Sequence, residues 1–232
     1  MAAKRIRVYN SEEVATADAE AKEANRKVFL ETKPDVGTWT GGSVWESGQY
    51  LADYLRKLPL DWGSTRVVEL GTGTGLVGLT AAVRPPRSPS PHPTAPPHPP
   101  GPPPELTVGG AGAQALGAAH VVLTDQVLHV ARYNAERNFE PAELEGRVRL
   151  HELKWGDETG MLALGDEGFD LIVGSDIIYH AEHHNVLAET MAALAKPGTI
   201  VLLCTPDGSP TQGAPRPRWY LLHGSALTRM VR

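Results

Sequence analysis

The chain is poor in cysteine, in long apolar runs and in positive charge. Its one cysteine, Cys204, excludes an internal disulfide. A single thiol fits a reducing compartment, and this one sits in the apolar run from Thr199 to Cys204, where it reads as core. No apolar run approaches the ~20 residues of a membrane-spanning helix. The opening Met1-Ala2-Ala3-Lys4-Arg5 leads into polar sequence, not into the apolar stretch of a secretory signal. Acidic residues outnumber basic ones, 27 to 22, for a formal net charge of −5. There is no basic field to hold a polyanion, which weighs against nucleic acid as a partner. The expectation is a cytoplasmic protein, with the nucleus as a second location, and no membrane partner. The sequence does not speak to oligomeric state.

What the chain does have is a glycine turn between a strand and a helix. Residues 67–75 read Val-Val-Glu-Leu-Gly-Thr-Gly-Thr-Gly. An apolar run ends near Glu69, then Gly71, Gly73 and Gly75 alternate, and residues 76–83 have a helical apolar pattern. Glycines accept positive φ and let a nucleotide-derived ligand approach the backbone. Alone the fingerprint is weak, because Gly73, Gly75 and Gly78 also have the spacing of a dinucleotide loop. Two acids tilt the reading. Glu69 stands before the glycines, where a pyrophosphate would be repelled and an ammonium or sulfonium group accepted. Asp125 ends the next apolar run, where a carboxylate can accept from both ribose hydroxyls. Adenosine with a cationic tail describes S-adenosylmethionine.

The remaining order is that of an α/β domain with a mainly parallel sheet and helices on both faces. Residues 10–31 read as a mostly polar helix, and 46–58 as a helix with Leu51, Tyr54, Leu55 and Leu58 on one face before Pro59. Strands are expected at 67–70, 121–125, 148–153, 169–175 and 199–204. Helices follow at 126–138 and 182–195, and Lys196-Pro197-Gly198 reads as a turn. Residues 84–104 break the pattern with 12 of the 20 prolines. Such a run is excluded from helix and sheet interiors. With 84–113 removed, the flanks read as one helix ending at Gly117. Asp125 then stands about twenty residues beyond the glycine loop, the spacing of a ribose-binding acid. The division expected is a helical extension (1–35), a catalytic domain (36–204) interrupted by a Pro-rich insertion (84–113), and an irregular tail (205–232).

The ordered set of Val44-Trp45, Glu69-Leu70-Gly71-Thr72-Gly73-Thr74-Gly75, Leu153-Lys154-Trp155-Gly156 and Ser175-Asp176-Ile177-Ile178-Tyr179 resembles the class I, seven-strand methyltransferases, and among them the family 16 protein-lysine methyltransferases with their Asp-x-x-Tyr motif. The resemblance covers residues 36–204 outside the insertion. It implies a Rossmann-like fold, S-adenosylmethionine as cofactor and a protein carrying the target lysine as partner. It implies cofactor contacts from Trp45, Gly71, Gly73, Gly75, Asp125, Trp155 and Ser175, with Glu69 by the methionyl end. It places Asp176 and Tyr179 at the mouth of a lysine channel. The family's fold ends in two further strands, the last antiparallel. Here they read as missing or replaced, with 219–222 as a short strand at most and an exposed sheet edge. The alternatives are a small-molecule or RNA methyltransferase, or a noncatalytic homologue. For single residues the plain alternatives are a helix cap for Asp176 and core packing for both tryptophans and Tyr179. His180, His183, His184 and Glu182 lack metal-ligand spacing, so no metal is expected.

Overall fold

The computed structural model describes residues 5–7, 29–32, 40–83, 116–206 and 217–223. Strands β1 (Arg5–Arg7) and β2 (Phe29–Glu31) form a separate antiparallel ribbon. The main sheet comprises β3 (Arg66–Leu70), β4 (His120–Asp125), β5 (Val148–Glu152), β6 (Phe169–Ser175), β7 (Ala195–Pro206) and β8 (Pro217–His223). Their order is β5-β4-β3-β6-β7-β8, with every pair parallel except β7–β8. The helices are α1 (Glu46–Leu55), α2 (Leu76–Ala82), α3 (His129–Asn138), α4 (Pro141–Gly146), α5 (Glu158–Leu162) and α6 (His184–Leu194).

Strand side chains alternate between two cores. Val67, Val121, Leu123, Leu171 and Val173 pack with Leu51 and Leu55 of α1, Val77 and Leu79 of α2 and Ala135 of α3. Val68, Val122, Ile172 and Val201 pack with Leu187, Met191 and Leu194 of α6 on the other face. Coverage on both faces is why the strands read as continuous apolar runs. Each fully buried aliphatic side chain contributes about 1.5–3 kcal/mol.

The fold differs from the sequence reading in several places. Residues 29–31, expected at the end of a helix, are strand β2, and Leu30 is buried in the core with α1–α3. The rest of that expected helix, residues 10–28, lies outside the described residues. Helix α1 stops at Leu55, three residues short of the expected end, and passes to Pro59 through a tighter turn in which Lys57 N–H donates to Tyr54 O at 2.9 Å and Leu58 N–H to Leu55 O at 3.1 Å. Tyr54 does not join its buried face but meets the Trp219 ring at 4.8 Å. Lys196-Pro197-Gly198 is not a turn before a strand but an irregularity inside β7: the register passes from Phe169↔Ala195 to Leu171↔Ile200. The tail is not irregular throughout, and β7 is not left as an edge. Strand β8 pairs with it from Ile200↔His223 to Pro206↔Pro217. One antiparallel strand thus closes this side, its Tyr220 and Leu222 packed on the α6 core.

The Pro-rich stretch lies outside the described residues, but its flanks do not. Helix α2 ends at Ala82, and the helix does not continue toward Gly117 as the joined flanks suggested. Instead the chain returns beside its point of departure: Gly117 N–H donates to the Val83 carbonyl at 2.6 Å and Ala118 N–H to that of Ala81 at 2.9 Å. Deleting residues 84–113 is therefore expected to leave the melting temperature unchanged or raised. A loop roughly a tenth as long costs about 2 kcal/mol less to close. A large fall in melting temperature would show that the segment packs on the domain.

Candidate active site

The chain runs from β3 outward to β4 and β5, then crosses back to β6 and β7 on the other side. The order reverses between β3 and β6, and open α/β sheets bind ligands at such a point, beyond the carboxyl ends of the strands. The glycine loop follows β3 there, and Asp176 follows β6.

Gly71, Gly73 and Gly75 have φ values of +65°, +52° and +88°. At Gly73 the need for glycine is also spatial, since a Cβ would stand 2.9 Å from the Gly41 carbonyl oxygen. The loop is fixed from four sides. Thr72 N–H donates to Thr124 O at 2.9 Å and Gly75 N–H to Thr72 O at 2.8 Å. Asn134, fully buried on α3, donates from Nδ2 to Thr74 O at 2.9 Å. Asp125 Oδ2 accepts from Gly73 N–H at 2.9 Å, while its Oδ1 accepts from Gln126 N–H at 2.7 Å. Burial raises the Asp125 pKa, and the N–H groups of Gly73, Val127 and Gln126 oppose that shift.

Glu69, which the resemblance sets by the methionyl end, lies inside β3. It is 2% exposed and shares the face of Val67, beneath α2. Its Oε2 accepts from Thr72 Oγ1 at 2.6 Å and from Gly78 N–H at 2.8 Å. The acid pins the loop and the first turn of α2 to the strand. Burial pushes its pKa up to about 7, against the hydrogen bonds from Thr72 and Gly78.

Asp176 is the one described non-glycine residue with positive φ, at +55°. Such backbone is uncommon, and aspartate tolerates it better than most residues. Its N–H donates to Cys204 O at 2.9 Å. Its Oδ1 accepts from Ser47 Oγ of α1 at 3.0 Å, and its buried Oδ2 has no partner. Burial raises the Asp176 carboxyl pKa, the Ser47 hydrogen bond opposes this, and the charge of Glu46 adds to it. The neighbouring Cys204 thiol is pushed up to about 12, first by burial and then by Asp176. It stays protonated and unreactive. Ser175 lies beside α1, where a Cβ on Gly48 would be 3.3 Å from its Oγ.

A row of rings borders this corner. Trp155 lies edge-on to His183 at 6.3 Å, His183 to His180 at 5.7 Å, and Tyr179 covers His180 at 4.4 Å. Tyr179 is 65% exposed. Trp155 also borders the glycine loop, for a Cβ on Gly71 would be 3.9 Å from its Cζ2. Trp45 is 50% exposed at the head of α1 and donates from Nε1 to Thr40 O at 3.2 Å.

The structure thus gathers Gly71, Gly73, Gly75 and Asp125 into one loop, with Trp155 beside it. It sets Ser175 and Asp176 against α1 and leaves Tyr179 and Trp45 on the rim. Three residues that sequence reasoning missed hold this arrangement. Ile177 wedges between the two halves: a Cβ on Gly71 would fall 2.6 Å from its Cγ2 and one on Gly174 2.4 Å from its Cδ1. Asn134 carried a signal, a polar residue between the apolar-face positions Ala131 and Ala135. Ser47 carried none, being 129 positions from its partner.

A protein-family model described as lysine methyltransferase matches residues 24–90 and 107–210. The chain belongs to that family. The break in the match, 91–106, falls inside the Pro-rich stretch. Among curated relatives, the zebrafish (Danio rerio) protein N-lysine methyltransferase METTL21A is 31% identical over 162 residues, covering 69% of this chain and 58% of that enzyme. The Candida glabrata protein N-terminal and lysine N-methyltransferase EFM7 is 27% identical over 174 residues, 72% of this chain and 55% of that one. The Arabidopsis thaliana calmodulin-lysine N-methyltransferase is 28% identical over 155 residues, 66% and 40%. The chain thus spans about half the length of the relatives it matches.

S-adenosylmethionine is the cofactor of this class, and the residues present fit it. A glycine turn with positive φ at Gly71 and Gly73 ends β3, an acidic acceptor stands at the end of the adjacent strand, and an indole lies against the loop. Asp125 keeps acceptor capacity, because a carboxylate offers about four lone-pair sites.

Proposed function

We propose that this chain is an S-adenosylmethionine-dependent protein-lysine methyltransferase that receives the amine at Asp176. The carrying observation is the buried, unpaired Oδ2 of a left-handed aspartate, set across the topological switch point from the glycine loop. Strained backbone at such a place argues for a functional constraint. Family membership supports the same reading.

Gly71, Gly73, Asp125, Trp155 and Trp45 would hold the cofactor. When bound, it supplies an activated methyl on a sulfonium centre and leaves as a neutral thioether. The protein's task is alignment and desolvation. A lysine side chain is an ammonium at neutral pH, with an ordinary pKa of about 10.4, and reacts only as the free amine. Asp176 Oδ2 accepts an N–H from it and takes up the surplus proton. A carboxyl group with a raised pKa is a better base for that proton than an ordinary aspartate. Tyr179 and the histidine rings form the outer wall.

The test is incubation of the full chain with methyl-labelled S-adenosylmethionine and cell extract, then hydrolysis of labelled protein to amino acids. Methyllysine is the expected product. Label in RNA or small molecules, or no label with intact cofactor binding, would replace the reading. Asp125→Ala is expected to weaken binding of S-adenosylhomocysteine by roughly tenfold or more, the scale of a lost hydrogen bond to a charged group. Calorimetry reads this, and unchanged affinity in a folded variant would remove Asp125 from the site.

A further inference from the structure

We infer that Ser47 is a positioning residue, whose hydroxyl holds one oxygen of the Asp176 carboxylate so that the other remains the unpaired acceptor at the end of β6. The inference rests on the lysine reading and deepens it. A carboxylate has two equivalent oxygens, and rotation about its last bond exchanges them. A donor fixed on one of them ends that equivalence. Ser47 is such a donor: it is 2% exposed and its Oγ lies 3.0 Å from Oδ1. The opposite oxygen is buried with no partner.

Both ends of the contact are themselves fixed. On the Asp176 side the backbone is tied by its N–H to Cys204 O. On the Ser47 side, α1 is seated by Leu51 and Leu55, both fully buried, and glycine at 48 admits the helix against Ser175. Ser47 lies in the first turn of α1, where the positive end of the helix dipole favours a carboxylate. That effect and the hydroxyl together oppose the burial that makes Asp176 harder to ionise, and exposed Glu46 in the same turn acts against them. The hydroxyl therefore sets both which oxygen is unpaired and how readily the group carries charge.

The test uses the full chain with carboxyl-labelled aspartate, the Asp176 signal being assigned by its loss in Asp176→Asn. Ser47→Ala removes one oxygen atom and keeps the helix. In that variant the Asp176 titration is expected to move upward. Methylation turnover in extract should fall roughly tenfold, with affinity for S-adenosylhomocysteine within twofold of the parent. Ser47→Thr, which keeps the hydroxyl, should restore the titration. An Asp176 titration unmoved in folded Ser47→Ala would overturn the proposal. A titration that moves in a protein with no methyl transfer even from the parent chain would instead overturn the lysine reading and leave the Ser47–Asp176 pairing standing.

Discussion

Asp176→Asn is expected to lower protein methylation a hundredfold or more while changing S-adenosylhomocysteine affinity less than threefold. Asparagine keeps the shape, and its amide oxygen can still accept from Ser47. What it loses is the charge and the capacity to take a proton from the amine, an effect of about 10²–10⁴ in rate for general base catalysis. The adenosine contacts proposed above, Gly73 and Asp125, lie across the switch point, so ground-state binding is expected to be largely spared. Tyr179→Phe removes only an exposed hydroxyl from a ring that stays on His180, and a several-fold loss is expected. Label incorporation, calorimetry and circular dichroism on both variants decide the matter. Full activity in folded Asp176→Asn would leave Asp176 as a structural residue at the end of β6.

The parts of the fold that were legible in the sequence are those whose burial is two-sided. Phe169–Ser175 was read with its observed bounds because a parallel strand covered on both faces is a plain apolar run. Strand β8 was hard to see because prolines flank it. Pro206 and Pro217 stand opposite each other where the connecting segment leaves β7 and enters β8, the last pair of the ladder. The positions of the glycine loop, Asp125 and Asp176 at the ends of β3, β4 and β6 were legible because each stands where an apolar run stops. The burial of Glu69 was not read, although its parity was available. Side chains two apart on a strand share a face, so an acid two residues after Val67 had to lie with Val67 under the following helix. The Ser47–Asp176 contact could not be read at all, since it depends on how α1 docks against β6 and β7.

Glu69 leads to the second large effect, on stability. Its pKa rises from an ordinary 4.5 to about 7 in the folded protein, chiefly through burial. Between those values the folded state holds a proton that the unfolded chain has released. Stability from this group is therefore fully present in acid, falls as pH rises from about 4.5, and is lost by about pH 7, a change on the order of 3 kcal/mol. Asp125 and Asp176, also raised by burial, add slopes of the same sign. Glu69→Gln isolates the contribution of Glu69, because its amide oxygen can keep the bonds from Thr72 Oγ1 and Gly78 N–H without titrating. Urea unfolding at pH 5, 6, 7 and 8 should show a parent protein that weakens as pH rises and a Gln variant with a shallower slope. Glu69→Ala should be weaker than the parent at every pH by roughly 2–4 kcal/mol. It strands the Thr72 hydroxyl and the Gly78 N–H, which cost about 1–3 kcal/mol each when buried and unpaired, and it leaves a void beneath α2. An equal pH slope in the parent and the Gln variant would mean that Glu69 is ionised throughout this range. The loop would then be held by a buried charge, and removing one of its donors, as in Thr72→Val, should cost more than a neutral hydrogen bond would.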